Sequence, residues 1–437
     1  MRRLACTTAL ILISTAAAMA EEPATAPTTT MSHASHLSHE SGGHGDLLDK
    51  YILEALDKNP ELKAIEQQVE ALRQRPAYEH ALDDPMLRFS VENLPWSGPS
   101  FTDEAMTMKS IGLSQRFPSA EKRELKRDMA IRDVEVAERM LDDRKNAIVR
   151  DVKRAYLDLA FINQNIDIIT HHQDLIRQII RIAETRYSVG VAPQQDALKA
   201  QVGLSEFIDD EIMLRQKRET ALARLNFLAF RTTEEARDGD EPREITKTPF
   251  SLSLEELRPM AIESRPSLKA ASKMVERAET ALKLAKKDYY PDFEVGVSYG
   301  QRETMDDLVS AMVTVNLPVW KKDKLDPKAA EAAARIGVAR HEYAAMKNEV
   351  FFMLRDLMAE VRRAERQMQL FETGILPQAR QSLKSAMAGY QVGKVDFFFL
   401  QDTQLNLFDF ELKYTKALTD YEQKLAELEF VVGKRLF

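Results

Sequence analysis

Four short segments of the chain alternate apolar and polar residues with a period of two. Leu87, Phe89 and Val91 alternate with Arg88, Ser90 and Glu92. Ile111, Leu113 and Phe117 alternate with Gly112, Ser114 and Arg116, with Gln115 interrupting the apolar side. Phe293, Val295, Val297 and Tyr299 alternate with Asp292, Glu294, Gly296 and Ser298. Val309, Ala311, Val313, Val315 and Leu317 alternate with Ser310, Met312, Thr314 and Asn316. The pattern predicts strands over about 85–94, 107–117, 291–300 and 308–317, each of roughly ten residues, enough to cross a bilayer when tilted. A soluble four-stranded sheet with one buried face carries the same alternation.

Between the strands the period changes to that of a helix. From Ser119 to Tyr187 there is neither proline nor glycine, and a helix of that length spans roughly 100 Å. In the matching segment Tyr343, Met346, Val350, Leu354, Leu357, Val361, Ala364, Met368, Phe371 and Ile375 step by three and four. This period is close to that of a coiled coil, so these helices pack along each other as rods. Gly337 and Pro377 are the expected bends of the second rod.

The chain is written twice. Asn59-Pro60-Glu61-Leu62-Lys63-Ala64 corresponds to Arg265-Pro266-Ser267-Leu268-Lys269-Ala270, and Pro85 to Val91 corresponds to Pro291 to Val297. Ser114 to Pro118 corresponds to Thr314 to Pro318, and Arg186-Tyr187-Ser188-Val189-Gly190 to Gly389-Tyr390-Gln391-Val392-Gly393. All four matches keep an offset of roughly 200 residues, far longer than a solenoid repeat. The expected first repeat is 46–230, with a helix from Leu47 to Arg73 capped by Asp46, two strands, a long helix 119–187, a turn 188–193 and a return helix 194–230. A polar linker, 231–249, follows. The second repeat, 250–437, opens on the capping-box sequence Ser253-Leu254-Glu255-Glu256. It continues through two strands, a long helix 327–390, a turn 391–396 and a return helix 397–434.

The amino terminus directs the chain out of the cytoplasm. Met1-Arg2-Arg3, the apolar run Leu4 to Ala18, and Ala18-Met19-Ala20 have the form of a secretory signal spanning 1–20. Cys6, the one cysteine, falls inside it without a preceding hydrophobic region, so neither lipidation nor a disulfide framework is expected. Residues 21–45 show no period and read as a disordered tail. This tail holds His33, His36, His39 and His44, half of the eight histidines, whose imidazoles could gather Zn(II), Cu or Ni.

Composition adds two exclusions. With 61 Lys+Arg against 69 Asp+Glu the net charge is −8, which argues against nucleic-acid binding. No HExxH, GxxxxGK[ST] or GxGxxG occurs, and the one GxSxG match, Gly296 to Gly300, falls inside an alternating strand segment and not at a strand-to-helix turn, so no enzyme and no cofactor is expected. His171-His172 have no partner ligand at i+4 and read as solvated or inter-helix residues. Only 15 glycines are present, which fits long helices.

Four transmembrane strands cannot close, because the smallest membrane barrels have about eight strands and an open edge is not tolerated in lipid. Three copies would pool twelve strands and a twelve-helix tube, and a dimer of eight strands would also close.

The order of these elements resembles the TolC family of outer-membrane efflux proteins from about Leu47 to Phe437. The resemblance rests on Asp84-Pro85-Met86-Leu87, on Gln115-Arg116-Phe117-Pro118 and on two helix-turn-helix tips. The first tip is Arg186 to Gly190 followed by Asp196 to Gln201; the second is Gly389 to Gly393 followed by Leu400-Gln401-Asp402. The resemblance implies a mainly α chain with a transmembrane β-barrel part. It implies a homotrimer with a 12-stranded outer-membrane barrel, continued by a long periplasmic α-helical barrel. It further implies an equatorial domain, here 47–75 and 231–282. In such a channel the tips close the periplasmic end and meet the adaptor, which points to Arg186, Tyr187, Gly190, Tyr390 and Gly393. Asp196 and Asp402 match acidic tip positions. Phe399, where the efflux archetype carries an acid, stands in Phe397-Phe398-Phe399-Leu400 and suggests an apolar constriction. Asp196, Phe399 and Asp402 are thus the expected lining of the closed end.

The implied partners are a periplasmic adaptor, an inner-membrane pump of the resistance-nodulation-division type, and outer-membrane lipid. Asp84-Pro85-Met86-Leu87 followed by Asn93-Leu94-Pro95 resembles the heavy-metal branch, which makes metal cations the expected cargo. A multidrug or type I secretion duct is the alternative within the family, and a soluble periplasmic coiled-coil scaffold or adaptor the alternative outside it.

Overall fold

The computed structural model describes residues 44–96, 98–231 and 241–437. The expected signal, His33, His36, His39, the side chain of His44 and residues 232–240 of the expected linker lie outside these residues.

The first repeat opens with two helices, α1 (His44–Lys58) and α2 (Pro60–His80), where the sequence predicts one. The break falls at Asn59-Pro60 because a residue before proline avoids the helical region. Asn59 then caps α2, its Oδ1 accepting from the backbone N–H of Glu61 at 2.8 Å and of Leu62 at 3.3 Å. Asp46 lies inside α1 rather than at its cap. The second repeat breaks at the equivalent Arg265-Pro266, between α5 (Leu254–Ser264) and α6 (Pro266–Lys287). Ser253 and Glu256 form the capping box that starts α5.

The strands β1 (Met86–Glu92), β2 (Met108–Phe117), β3 (Phe293–Arg302) and β4 (Leu308–Val315) make one antiparallel sheet in that order. Its register sets Phe89, Ile111, Tyr299 and Val309 in one row. The neighbouring row, on the opposite face, is Arg88, Gly112, Ser298 and Ser310. Among the described residues nothing covers the apolar face: Phe89 is 73% and Val309 79% exposed. A soluble sheet buries such a face, whereas a membrane strand presents it to lipid. The polar face lines a concavity in which Ser90 and Ser110 share a 2.7 Å hydrogen bond and Ser110 donates to Glu92. Among the described residues the outer edges of β1 and β4 are unpaired, so the barrel does not close in one copy.

One end of the sheet carries the two hairpin loops, and the other runs into helices. There Lys122, buried at the start of α3 (Ala120–Ser188), donates to Asp292 Oδ1 and to the Tyr290 carbonyl, both at 2.8 Å. Arg116 reaches the other Asp292 oxygen at 3.3 Å. The junction of barrel and helices is therefore ionic, tying the first repeat to the second.

The 69 residues of α3 form a rod of roughly 100 Å. It packs on α2 and α6 in its half nearer the sheet, and on α4 (Gln194–Ala229) and α9 (Phe397–Val432) farther away. The second rod is not continuous: α7 (Asp326–Leu370) passes Gly337 unbroken and gives way to a π-helical turn, Phe371–Ile375, before α8 (Leu376–Gln391). Pro377 explains the turn. It offers no N–H, and its ring would strike the carbonyl four residues back, so the chain widens by one residue and Leu376 N–H bonds Phe371 O. Another π-helical turn, Lys321–Leu325, precedes α7. The core is a series of apolar layers along the rods. No helix of the described residues is long and apolar enough to cross a membrane.

Candidate functional site

Far from the sheet, α3 turns into α4 and α8 turns into α9 by the same geometry. At the first tip Val191 N–H bonds Arg186 O at 3.0 Å and Gly190 N–H bonds Tyr187 O at 2.9 Å. At the second Lys394 N–H bonds Gly389 O at 2.8 Å and Gly393 N–H bonds Tyr390 O at 3.1 Å. Both are Schellman caps, whose pivotal residue takes a left-handed conformation. Gly190 and Gly393 each have φ of 76°, open to glycine without a Cβ penalty. The return helices start differently. Asp396 caps α9 by accepting from Phe399 N–H at 2.8 Å, whereas Pro193 precedes α4 without a side-chain cap.

The two tips are tied to each other through Tyr390, which is 1% exposed. Its hydroxyl donates to Asp196 Oδ2 at 2.9 Å, joining α8 to α4. Arg186 lies over the Tyr390 ring, 4.4 Å from its centroid, and donates to the Tyr390 carbonyl. It also reaches Val191 O at 3.4 Å. Phe397 packs edge-on against the ring at 5.8 Å. Burial, and then the bond to Asp196, raise the Tyr390 hydroxyl far above the ordinary tyrosine range. It therefore stays a donor throughout the physiological range.

Of the residues singled out from sequence, the structure brings Arg186, Tyr390, Asp196 and the two glycines together. Tyr187, the counterpart of Tyr390, is instead 49% exposed. Phe399 and Asp402 sit along α9 outside this network. Phe399 is exposed, and Asp402 accepts from Asn406 at 3.0 Å. The triple-Phe run divides, with Phe397 buried in the tip core and Phe398 and Phe399 turned outward. Sequence reasoning missed Asp396, though an acid just before an apolar run is the usual N-cap signal. Among the described residues no group of three or more His, Cys, Asp or Glu could hold a metal ion.

The chain matches the family model described as outer membrane efflux protein over residues 51–229 and again over 257–434, which follows the duplication. It is 22% identical over 323 residues to the cobalt-zinc-cadmium resistance protein CzcC of Cupriavidus metallidurans, across 72% of this chain and 74% of that one. Its fold is similar to that of the outer membrane protein VceC of Vibrio cholerae, with a TM-score of 0.74 at 16% identity, covering 89% of this chain and 96% of VceC. It is also similar to CusC, with a TM-score of 0.75 at 14% identity, covering 92% of this chain and 96% of CusC. Members of this family are trimeric channels that work with an adaptor and an inner-membrane pump; they conduct passively and are not enzymes. The chain belongs to the outer membrane efflux protein family, the TolC family, and is an outer-membrane efflux channel of a tripartite system with a large periplasmic helical part.

Proposed function

We propose that three copies of this chain form the exit duct for heavy-metal cations. The duct receives them from a resistance-nodulation-division pump through a periplasmic adaptor. The observation that carries the cargo is the match to a cobalt-zinc-cadmium resistance protein along most of both chains. The histidines of the tail, with ligands suited to borderline cations, support the same reading. The unpaired edges of β1 and β4 support the closure, since β4 of one copy can pair with β1 of the next.

In this reading the periplasmic end is shut by the Tyr390–Asp196 and Arg186–Tyr390 contacts, and Asp196, Phe399 and Asp402 line it. Three copies of each acid would attract cations, and three phenylalanines would form an apolar ring that gates by dewetting. The tip turns around Tyr187, Gly190 and Gly393 would face the adaptor.

Growth of a deletion strain in Zn, Cu, Co or Cd, compared with growth in detergents and antibiotics, tests the cargo. Metal sensitivity of the deletion strain, with tolerance restored by the intact gene, supports the proposal. Unchanged metal tolerance with lost drug tolerance makes the channel a multidrug duct. Alanine at Asp196, Phe399 or Asp402 should raise single-channel conductance, and an unchanged value removes that residue from the lining.

A further inference from the structure

Midway along the helices a second tie joins the repeats. His172 of α3 has no exposed surface. Its Nε2 lies 3.0 Å from Glu411 Oε2 and its Nδ1 lies 3.1 Å from Gln404 Nε2, both residues on α9. With the Gln404 amide donating to Nδ1, the ring carries its proton on Nε2 and donates to Glu411. The ring stacks on Phe207 of α4 at 6.1 Å and meets Phe408 of α9 edge-on at 5.1 Å. Arg380 of α8 reaches Glu411 Oε1 with Nη2 at 2.8 Å and Nε at 3.2 Å. Burial raises the Glu411 carboxyl, but the bonds from His172 and Arg380 outweigh it and hold the group below its ordinary range. One ionised carboxylate thus fastens α8 and α9 to α3.

The second repeat also has places to bend at this level. The π-helical turn Phe371–Ile375 lies just before Arg380, and such turns are frequent at functional positions. In α9, Thr415 and Thr419 donate to the carbonyls of Glu411 and Thr415 within their own helix, a bond that often bends helices. A cleft of about 440 Å³, lined by Asp167, His171, Glu372, Arg380, Glu411 and Tyr414, leaves room beside the turn. The first repeat differs in lacking a π-helical turn: α3 runs past this level as unbroken α-helix, although Thr170 makes a like bond to the Ile166 carbonyl.

We propose that the turn Phe371–Ile375 is the hinge of the second repeat's tip arm, and that His172, Glu411 and Arg380 form a releasable latch holding this arm on the first repeat. The latch rests on the reading of the tips as the closed end of the duct. It lies roughly 20 Å from the tip, the helical rise from Phe397 to Glu411, and acts separately from the Tyr390–Asp196 contact. Opening would break both ties, because the arm carries Arg380, Tyr390 and Glu411 while His172 and Asp196 stay with the first repeat.

The test measures single-channel conductance of the full-length channel in planar bilayers for wild type, Tyr390→Phe, Glu411→Gln and the double variant. Glu411→Gln keeps the shape and removes the charge, and should raise the open population about tenfold, the effect of losing one hydrogen bond to a charged group. The double variant should show the product of the two single effects. His172→Phe should match Glu411→Gln, and combining these two should add nothing further. If Glu411→Gln destabilises the assembly, Arg380→Gln replaces it, since that side chain is 62% exposed and leaves the core intact. Trimer recovery and melting temperature are recorded beside conductance. Latch variants that lower stability at wild-type conductance overturn the proposal. Latch variants at wild-type conductance with a raised Tyr390→Phe channel overturn the latch and keep the tip closure. Raised latch variants with an inert Tyr390→Phe do the reverse.

Discussion

The hydroxyl of Tyr390 and the carboxylate of Asp196 meet at 2.9 Å, though they lie in different repeats. The duplication places two equivalent turns side by side. The tie arises where they differ, with one tyrosine buried and the other exposed. Replacing Tyr390 by Phe keeps the ring packing on Arg186 and Phe397 and removes only the donor. A hydrogen bond to a charged acceptor contributes about 1.5–3 kcal/mol, so conductance in planar bilayers should rise about tenfold or more. The pH dependence has a defined sign. The folded Tyr390 is raised above its ordinary value of 10.0, so its stabilisation is complete below pH 10 and is lost as pH climbs above it. Closure that weakens between pH 7 and pH 9 would contradict this assignment.

Gly393 makes a sharper backbone prediction. At a φ of 76° an alanine pays roughly 1–2 kcal/mol for the left-handed conformation. A Cβ there would also sit 3.4 Å from Arg186 Nη2, an ordinary contact. Gly393→Ala should therefore lower the melting temperature of the detergent-extracted oligomer by strain alone. Gly190→Ala, with open space around its Cβ, should do the same to a similar degree.

The two faces of the sheet should respond oppositely to charge. Phe89→Lys places an ammonium on the apolar face, which in lipid costs about 2–4 kcal/mol near the bilayer midplane. Ser298→Lys places it on the polar face that lines the concavity. Heat-stable oligomer recovered from the outer membrane should fall for the first substitution and hold for the second. Equal loss in both would contradict the assigned sidedness.

Lys122 and Asp292 join barrel to helices at 2.8 Å with little exposure on either side chain. Removing one partner of a buried pair costs about 3–5 kcal/mol, because the other charge is left unpaired. Arg116 remains near Asp292 and offsets part of that cost. Lys122→Met should reduce assembled channel measurably, and Lys122→Met with Asp292→Leu should restore part of it. An unaltered yield of Lys122→Met would show that the junction does not depend on this pair.

The strands were legible because Leu87–Val91 and Val309–Val315 alternate strictly, but a soluble sheet alternates in the same way, and only the exposure of Phe89 and Val309 separates the two. The tips were legible because a Schellman turn demands glycine at Gly190 and Gly393 in both repeats. Three features were not. The break at Asn59-Pro60 interrupts a helix whose apolar period continues across it, so periodicity hides it. Pro377 marked a bend, but the π-helical turn it imposes keeps the chain helical while shifting its phase, a form that no spacing rule reports. The His172–Glu411–Arg380 tie joins residues far apart in sequence, whose meeting depends on how α3, α8 and α9 pack. Polar residues on a helix surface read as solvated until the facing helix is known. The same limit applies to Asp402 and Phe399, whose role rests on the neighbouring copies.

Imaging of the detergent-extracted full-length oligomer by electron microscopy tests the central claim most directly. Three copies should appear as a three-fold symmetric particle with a short barrel of twelve strands above a helical tube about 100 Å long. A monomer, a two-fold particle, or a protein released from membranes without detergent would contradict the account.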